Sequence, residues 1–273
     1  MSVKKGTPVS GVVPPEALVV APTPPAPEPS TAQEWRDRAS ELESEGETEK
    51  AVDAFKKALA LEPNDRPTRF QAAQCLLFDL TDPAGALALL EAAPMSAWDS
   101  DVMYLRARSL AELDRKEEGI AYYTRALEIM KPNDVPNNSR AEIHCSWSLD
   151  LRDLGRVPEA LPIAERAVAS DPTYPHAWEC LGYFQHLAKN ADVALQCLSL
   201  AVALEPAIAD TFREDPDYGE FSKDPRFQAM LTTQVLTAGA RELVPTLWPK
   251  GASAHDALPV FLAAVKRFVK PAA

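Results

Sequence analysis

Residues His176 to Pro206 read HAWECLGYFQHLAKNADVALQCLSLAVALEP, and the small residues in this stretch decide the fold. Trp178, Leu181 and Gly182 stand in the order W-x2-L-G, Ala194, Leu198 and Ala201 follow at helical spacing, and Pro206 closes the segment. Gly182 has no side chain and Ala194 has one methyl group, so two antiparallel helices carrying them can approach until their backbones nearly touch. Trp178, Leu181 and Leu198 fill the space around that contact. Pro206 lacks an N–H and cannot extend the helix behind it. One such hairpin cannot bury its own apolar face, so the unit predicts neighbours of the same kind.

Those neighbours lie upstream. With Pro175 as first position of the last unit, the earlier ones start at Ala32, Pro67, Ser100 and Ala141, at intervals of 35, 33, 41 and 34 residues. The small residue early in each second helix is Ala51, Ala86, Gly119, Ala160 and Ala194, and the later one is Ala58, Ala93, Ala126, Ala167 and Ala201. In the first helix the small position is Ala39, Ala107, Ser148 and Gly182, but Gln74 in the second unit, which predicts a looser hairpin there. The pattern resembles the tetratricopeptide repeat, a helix–turn–helix unit of about 34 residues. The resemblance implies an all-α protein, a right-handed α-solenoid of about five hairpins with C-terminal capping helices. On this reading residues 1–30 are a disordered tail, the array runs over 31–206 (about 32–65, 67–99, 100–140, 141–174 and 175–206), and 207–273 form the cap.

Composition agrees with helices. The 273 residues include only 10 glycines, with 46% hydrophobic and 25% charged, which suits packing through alanine and leucine better than a turn-rich sheet. The formal net charge is −12 and the repeats carry no Lys/Arg-rich strip, so no nucleic acid partner is expected. The cysteines, Cys75, Cys145, Cys180 and Cys197, show no C-x2-C spacing and read as small apolar groups in a reducing compartment. There is no continuous apolar core of a signal peptide and no apolar run of about 18 residues, so the expectation is a soluble, cytoplasmic protein with no membrane span.

The first 30 residues hold eight prolines and favour extended polyproline geometry, as a spacer or as a ligand for an aromatic groove. Thr31 with Glu34 forms a capping-box pattern ahead of Trp35, Leu42, Phe55 and Ala58. From Glu34 through Asp65 there are ten acidic residues against five basic, either a solvated face or a docking surface for a basic partner. The 41-residue interval predicts a lengthened second helix in the third unit and an ordered loop around Pro132 to Asn138. Pro162 falls a turn inside a predicted helix, where it removes one hydrogen bond, while Pro158 sits harmlessly at its start.

After Pro206 the pattern changes. Asp215-Pro216 and Asp224-Pro225 each suit an N-cap and first helical residue, with Phe212, Tyr218, Phe221 and Phe227 as apolar anchors. KDPRFQAML resembles a segment that covers the last hairpin of bacterial tetratricopeptide arrays. Two further helices are expected, over 233–247 and 257–269, broken at WPKGAS. In the last one Leu258, Phe261, Leu262, Val265 and Val269 make an apolar stripe and Lys266, Arg267 and Lys270 a basic end. That helix is expected to dock as a cap. The alternative is a regulatory or tethering subunit in which it contacts a membrane or an enzyme.

Catalytic patterns are missing: there is no phosphate loop, no G-x-S-x-G elbow and no H-E-x2-H. His176 and Cys180 share a helix face, with His186, His144 and Cys145 within reach of the same units, but lone His and Cys on repeat helices more often pack than ligate. No enzyme activity, cofactor or metal is expected. The family resemblance instead implies a groove lined by the first helices, holding a peptide or helix of a partner protein. Its second, fifth, ninth and twelfth positions fall on Gln33, Arg36, Ser40 and Glu43, then Thr68, Gln71, Cys75 and Phe78, then Asp101, Tyr104, Arg108 and Ala111. The fourth and fifth units supply Glu142, Cys145, Leu149 and Arg152, then His176, Glu179, Tyr183 and His186. The co-chaperone branch grips a C-terminal carboxylate with lysine and asparagine where this chain has Arg36 and Ser40, and has another asparagine where this chain has Ala72. Binding of a chaperone tail is therefore not expected, and the reading is a scaffold or adaptor.

Overall fold

The structure, a computed structural model, describes residues 28–92, 98–130, 137–219, 221–231, 234–236, 240–249 and 254–271. The tail through residue 27, Ala93 and the turn formers of 131–136 lie outside the described residues. Among the described residues five antiparallel hairpins follow one another. They are α1 (Ala32–Ser44) with α2 (Thr48–Leu61), α3 (Arg66–Gln74) with α4 (Pro83–Glu91), α5 (Ser100–Glu112) with α6 (Lys116–Ile129), α7 (Asn137–Asp153) with α8 (Val157–Ser170), and α9 (Pro175–Leu187) with α10 (Ala191–Leu204). They stack as a right-handed solenoid in which the first helices of successive hairpins pack side by side.

Close approach is what the small residues are for. A Cβ added at Gly182 would stand 2.8 Å from Cγ and Cδ2 of Leu198 and 3.3 Å from the Ala194 carbonyl, and one at Gly119 would stand 3.0 Å from the Ala107 carbonyl. Ala39, Ala51, Ala58, Ala126, Ala160, Ala167 and Ala201 are all fully buried. The turns repeat as well. Gly46, Thr81, Asp114, Gly155 and Lys189 occupy the same place after each first helix, all with positive φ between 52° and 77°. At Gly46 the N–H donates to the Glu43 carbonyl and the next N–H to Leu42, the paired bonds of a Schellman cap, and the same pair recurs at Asp114, Gly155 and Lys189.

Entry to the first hairpin is fixed by the expected capping box, Glu34 N–H donating to Thr31 Oγ1 while the Glu34 carboxylate accepts from the Ser30 and Thr31 N–H groups. Asp65, Asp82 and Asp99 cap α3, α4 and α5, each carboxylate accepting from the N–H three residues further on.

The second hairpin departs from expectation. Capped by Asp65, α3 starts at Arg66, one residue before Pro67, and counting from that start the eighth residue is Ala73, fully buried. Directly afterwards the chain makes a single π turn over Cys75–Asp79 before Thr81 reverses it. The hairpin is also short, with nine residues in each α-helix.

The insertion between the third and fourth units also differs. Helix α6 keeps the ordinary 14 residues, and it is α7 that lengthens, starting four residues before Ala141 and running for 17. Helix α8 continues through Pro162, with Pro158 in its first turn.

Beyond α10 come α11 (Ile208–Glu214), single 3-10 turns at Pro216–Tyr218 and Phe221–Lys223, and α12 (Pro225–Leu231), so both Asp-Pro pairs start helical turns. Phe212, Tyr218, Phe221 and Phe227 are buried together, with ring centroids 4.8 Å apart for Phe212 and Tyr218 and 5.4 Å for Phe221 and Phe227. The last segment departs locally from the two helices expected there. Residues expected to open a helix at 233 form a strand, β1 (Gln234–Leu236), which lies against α10 and pairs antiparallel with β2 (Val269–Pro271), Val235 opposite Lys270. Between them α13 (Ala240–Leu247) and α14 (Ala254–Val265) are shorter than expected, and a 3-10 turn at Lys266–Phe268 leads into β2. The β-branched Val235 and Val269 favour this ribbon. Leu258, Phe261, Leu262 and Val265 are buried in the same apolar cluster as the last two hairpins, and α14 packs on α8.

Candidate functional site

The open inner face is built from the first helices, and its side chains are held by contacts from one repeat to the next. On α1, Arg36 Nη1 donates to Glu62 at 2.7 Å and to Asp65 at 2.5 Å, so the α1–α2 hairpin is tied to the cap of α3. An open cleft of about 700 Å³ lies beside this arginine, bounded by Pro63, Thr68 and Gln71. Further along α1, Glu43 accepts from Gln71 Nε2 at 3.2 Å and from the Cys75 thiol at 3.0 Å. Burial, and then Glu43, push the Cys75 thiol up to about 12, so it stays protonated and donates. Phe78 follows on the open side of the π turn, half exposed at 50%.

A polar network joins the third and fourth repeats. Tyr104 Oη donates to Glu142 at 2.9 Å and lies 3.3 Å from Ser146 Oγ, which accepts from Arg108 Nη1 at 3.4 Å. Arg108 also pairs with Glu112 at 3.2 Å. Beneath them Tyr123 Oη donates to Asp150 at 2.9 Å in the interior, and burial holds the Asp150 carboxyl above its ordinary value. Asp101, although exposed to solvent, is also raised, first by desolvation from the groups crowding it and then by the carboxylates Asp99 and Glu142. Ser146, Asp150 and Tyr123 fall outside the groove positions of the repeat, although a Ser and an Asp four apart on an otherwise buried helix face are a readable sign of an internal partner.

Toward the last hairpin, the Arg152 guanidinium sits 5.4 Å from the Tyr183 ring centre and donates to Asp153 at 2.8 Å. Leu149 is partly buried against the core. His176 Nδ1 lies 2.9 Å from Glu179, a hydrogen bond that raises the imidazole above its ordinary value. Tyr183 and His186 meet the chain's own C-terminal segment instead of open space: Tyr218 stands edge-on to Tyr183 at 6.3 Å, and Phe221 is 4.1 Å from His186.

Of the groove positions carried over from the resemblance, Arg36, Gln71, Phe78, Tyr104, Arg108, Arg152, His176 and Glu179 keep an accessible side, and Gln33, Ser40, Asp101 and Glu142 are exposed. Thr68, Cys75, Ala111 and Cys145 are buried and face neighbouring helices. Thr68 Oγ1 is used by Asp65 at 2.7 Å, and the Cys145 thiol points to the His176 carbonyl at 3.8 Å. Cys180 contacts Ser148 Oγ at 3.1 Å rather than His176. Among the described residues no group of three or more His, Cys, Asp and Glu could hold a metal ion, and no helix is long and apolar enough to cross a membrane.

A stack of helical hairpins with an open, polar and aromatic inner face defines a helical-repeat array. The tetratricopeptide repeat description matches residues 32–75, 100–131 and 145–210, together just over half of the chain, which belongs to the tetratricopeptide repeat family. Similar solved structures include MamA from Desulfovibrio magneticus RS-1, at 16% identity, TM-score 0.52, covering 64% of this chain and 96% of that one. Pseudomonas aeruginosa pilF matches at 14% identity and TM-score 0.50, over 72% of this chain and 95% of that one. The C-terminal part of a repeat-containing protein from Cytophaga hutchinsonii matches at 17% identity and TM-score 0.51, over 71% and 75%. These likenesses are of fold. A search of the curated proteins found no match.

Proposed function

We propose that the chain is a non-enzymatic scaffold or adaptor that holds a peptide or helix of a partner protein along its inner face, chiefly on α1, α3, α5 and α7. The observation that carries this reading is the open face itself: Gln71, Phe78, Asp101 and Glu142 project from adjacent helices with their ends exposed, while the apolar residues behind them are spent on the solenoid. An exposed Phe on a continuous helical face suits a docked side chain better than solvent. The last hairpin contributes less, since Tyr183 and His186 are engaged by residues 218 and 221. The C-terminal segment acts on this reading as a cap, with Leu258, Phe261, Leu262 and Val265 of α14 buried on the array. Photo-crosslinking tests the groove: a crosslinking residue at Gln71 or Phe78 should give a discrete adduct with a protein identifiable by mass spectrometry. The same residue at Arg125 or Glu128, exposed on the second helix of the third repeat, should give none. Equal adducts from both faces would remove the groove from the account.

A further inference from the structure

We infer that the groove takes a basic segment, one that carries lysine or arginine along its length and an apolar side chain to set against Phe78. This rests on the groove reading above and adds the chemistry of the partner. The cations of the inner face are already matched within the chain: Arg36 by Glu62 and Asp65, Arg108 by Glu112, Arg152 by Asp153. Three carboxylates of that face, Glu43, Asp101 and Glu142, form no ion pair among the described residues. Glu43 accepts from an amide and a thiol, and Glu142 from a phenol, all neutral donors. Asp101 is exposed at the mouth of the third repeat beside Asp99 and Glu142, and Asp79 closes the π turn next to Phe78. The inner face thus offers carboxylates on α1, α5 and α7 that have no cation partner among the described residues, on a chain whose formal charge is −12. Charge complementarity of this kind selects a partner and speeds its encounter. The π turn adds the apolar contact: Phe78, at 50%, is one of three large hydrophobic side chains exposed among the described residues.

The test uses two fluorescein-labelled helical peptides of equal length, one of lysine, leucine and alanine, the other with glutamate in place of every lysine, titrated with the full chain and followed by anisotropy. The lysine peptide should bind, with affinity falling as salt rises, and the glutamate peptide should not. Asp101→Asn with Glu142→Gln, which keeps the acceptor for Tyr104, should weaken binding about tenfold, and Phe78→Ser by a similar factor. Glu49→Gln with Asp53→Asn, exposed on α2, should change it less than about twofold. Tighter binding of the glutamate peptide, lost in Phe78→Ser, would overturn the basic partner and leave the groove in place. Binding of the lysine peptide that only the α2 pair weakens would place it on the outer surface and overturn both. If neither peptide binds, the inferred chemistry fails, and crosslinking from Gln71 and Phe78 still judges the groove separately.

Discussion

Trp178 and Phe261 stack almost parallel, their ring centroids 5.2 Å apart and their planes within 9°, and both are completely buried. Trp178 is anchored from its other edge, Nε1 donating to the Pro172 carbonyl at 2.8 Å. The tryptophan of the last repeat is thus shared between the array and α14. Truncating the ring removes contact on both sides, so Phe261→Ala should cost about 3–5 kcal/mol, read as a lower urea midpoint at unchanged slope. Ending the chain after Pro249 should do more, exposing the surface around Trp178 and causing aggregation on heating. A midpoint within about 0.5 kcal/mol of the parent for Phe261→Ala would show that α14 is not part of the cooperative unit.

Gly182→Ala probes the hairpin contact itself. The new methyl would lie 2.8 Å from two carbons of Leu198, a side chain with no exposed surface into which to retreat. Overpacking of this kind costs roughly 1–3 kcal/mol, which exceeds the gain of about 1 kcal/mol from replacing a helical glycine. Adding Leu198→Ala should then cost less than it does in the parent, because the two changes share one space. Strict additivity in the double-mutant cycle would mean that the clash is relieved elsewhere.

The five hairpins are legible in the sequence because small residues recur at fixed spacing, and a periodic glycine or alanine marks where a facing helix comes too close for a larger side chain. The π turn of the second hairpin is not, since nothing in the apolar run Cys75–Phe78 marks a wider turn than an ordinary helix. The β1–β2 ribbon joins residues 234–236 to 269–271, and a pairing across that distance leaves no local period in either strand. For the groove, helix position separates inner-face candidates from core residues only in part, because Thr68 is turned back onto Asp65, the cap of its own helix, and Cys145 is claimed by the His176 carbonyl of the next repeat.

The turns carry a second repeat that the sequence hides, because glycine fills the left-handed position at Gly46 and Gly155 but threonine, aspartate and lysine fill it at Thr81, Asp114 and Lys189. An L side chain there costs about 1–2 kcal/mol, most severely when β-branched. Thr81→Gly and Lys189→Gly should therefore each stabilise the chain by about 1 kcal/mol in urea titrations, and Gly155→Ala should destabilise it by a similar amount. No gain from Thr81→Gly would mean that its side chain repays the strain through a contact in the folded state.

His144 sets the expected response to acid. It is buried on α7, its Nδ1 3.3 Å from Ser170 Oγ, and burial, followed by the charges of Arg140 and Arg166, pushes it down to about 4. An unfolded histidine titrates near 6.5, so between about 6.5 and 4 the unfolded chain binds a proton that the folded chain does not. The stability that neutral His144 supplies is complete above that window and is lost as pH falls through it, at up to about 1.4 kcal/mol per pH unit. His176, raised by Glu179, acts in the opposite sense and above this window, since its contribution is present at low pH and fades as pH rises through its folded value. Asp101 and Asp150, whose folded values are raised, oppose the loss where the folded carboxyls take up protons before the unfolded ones do. Urea midpoints measured between about pH 7.5 and pH 5 should thus fall most steeply below pH 6.5, and His144→Gln should flatten that fall. An unchanged slope in the variant would assign the acid sensitivity to another group.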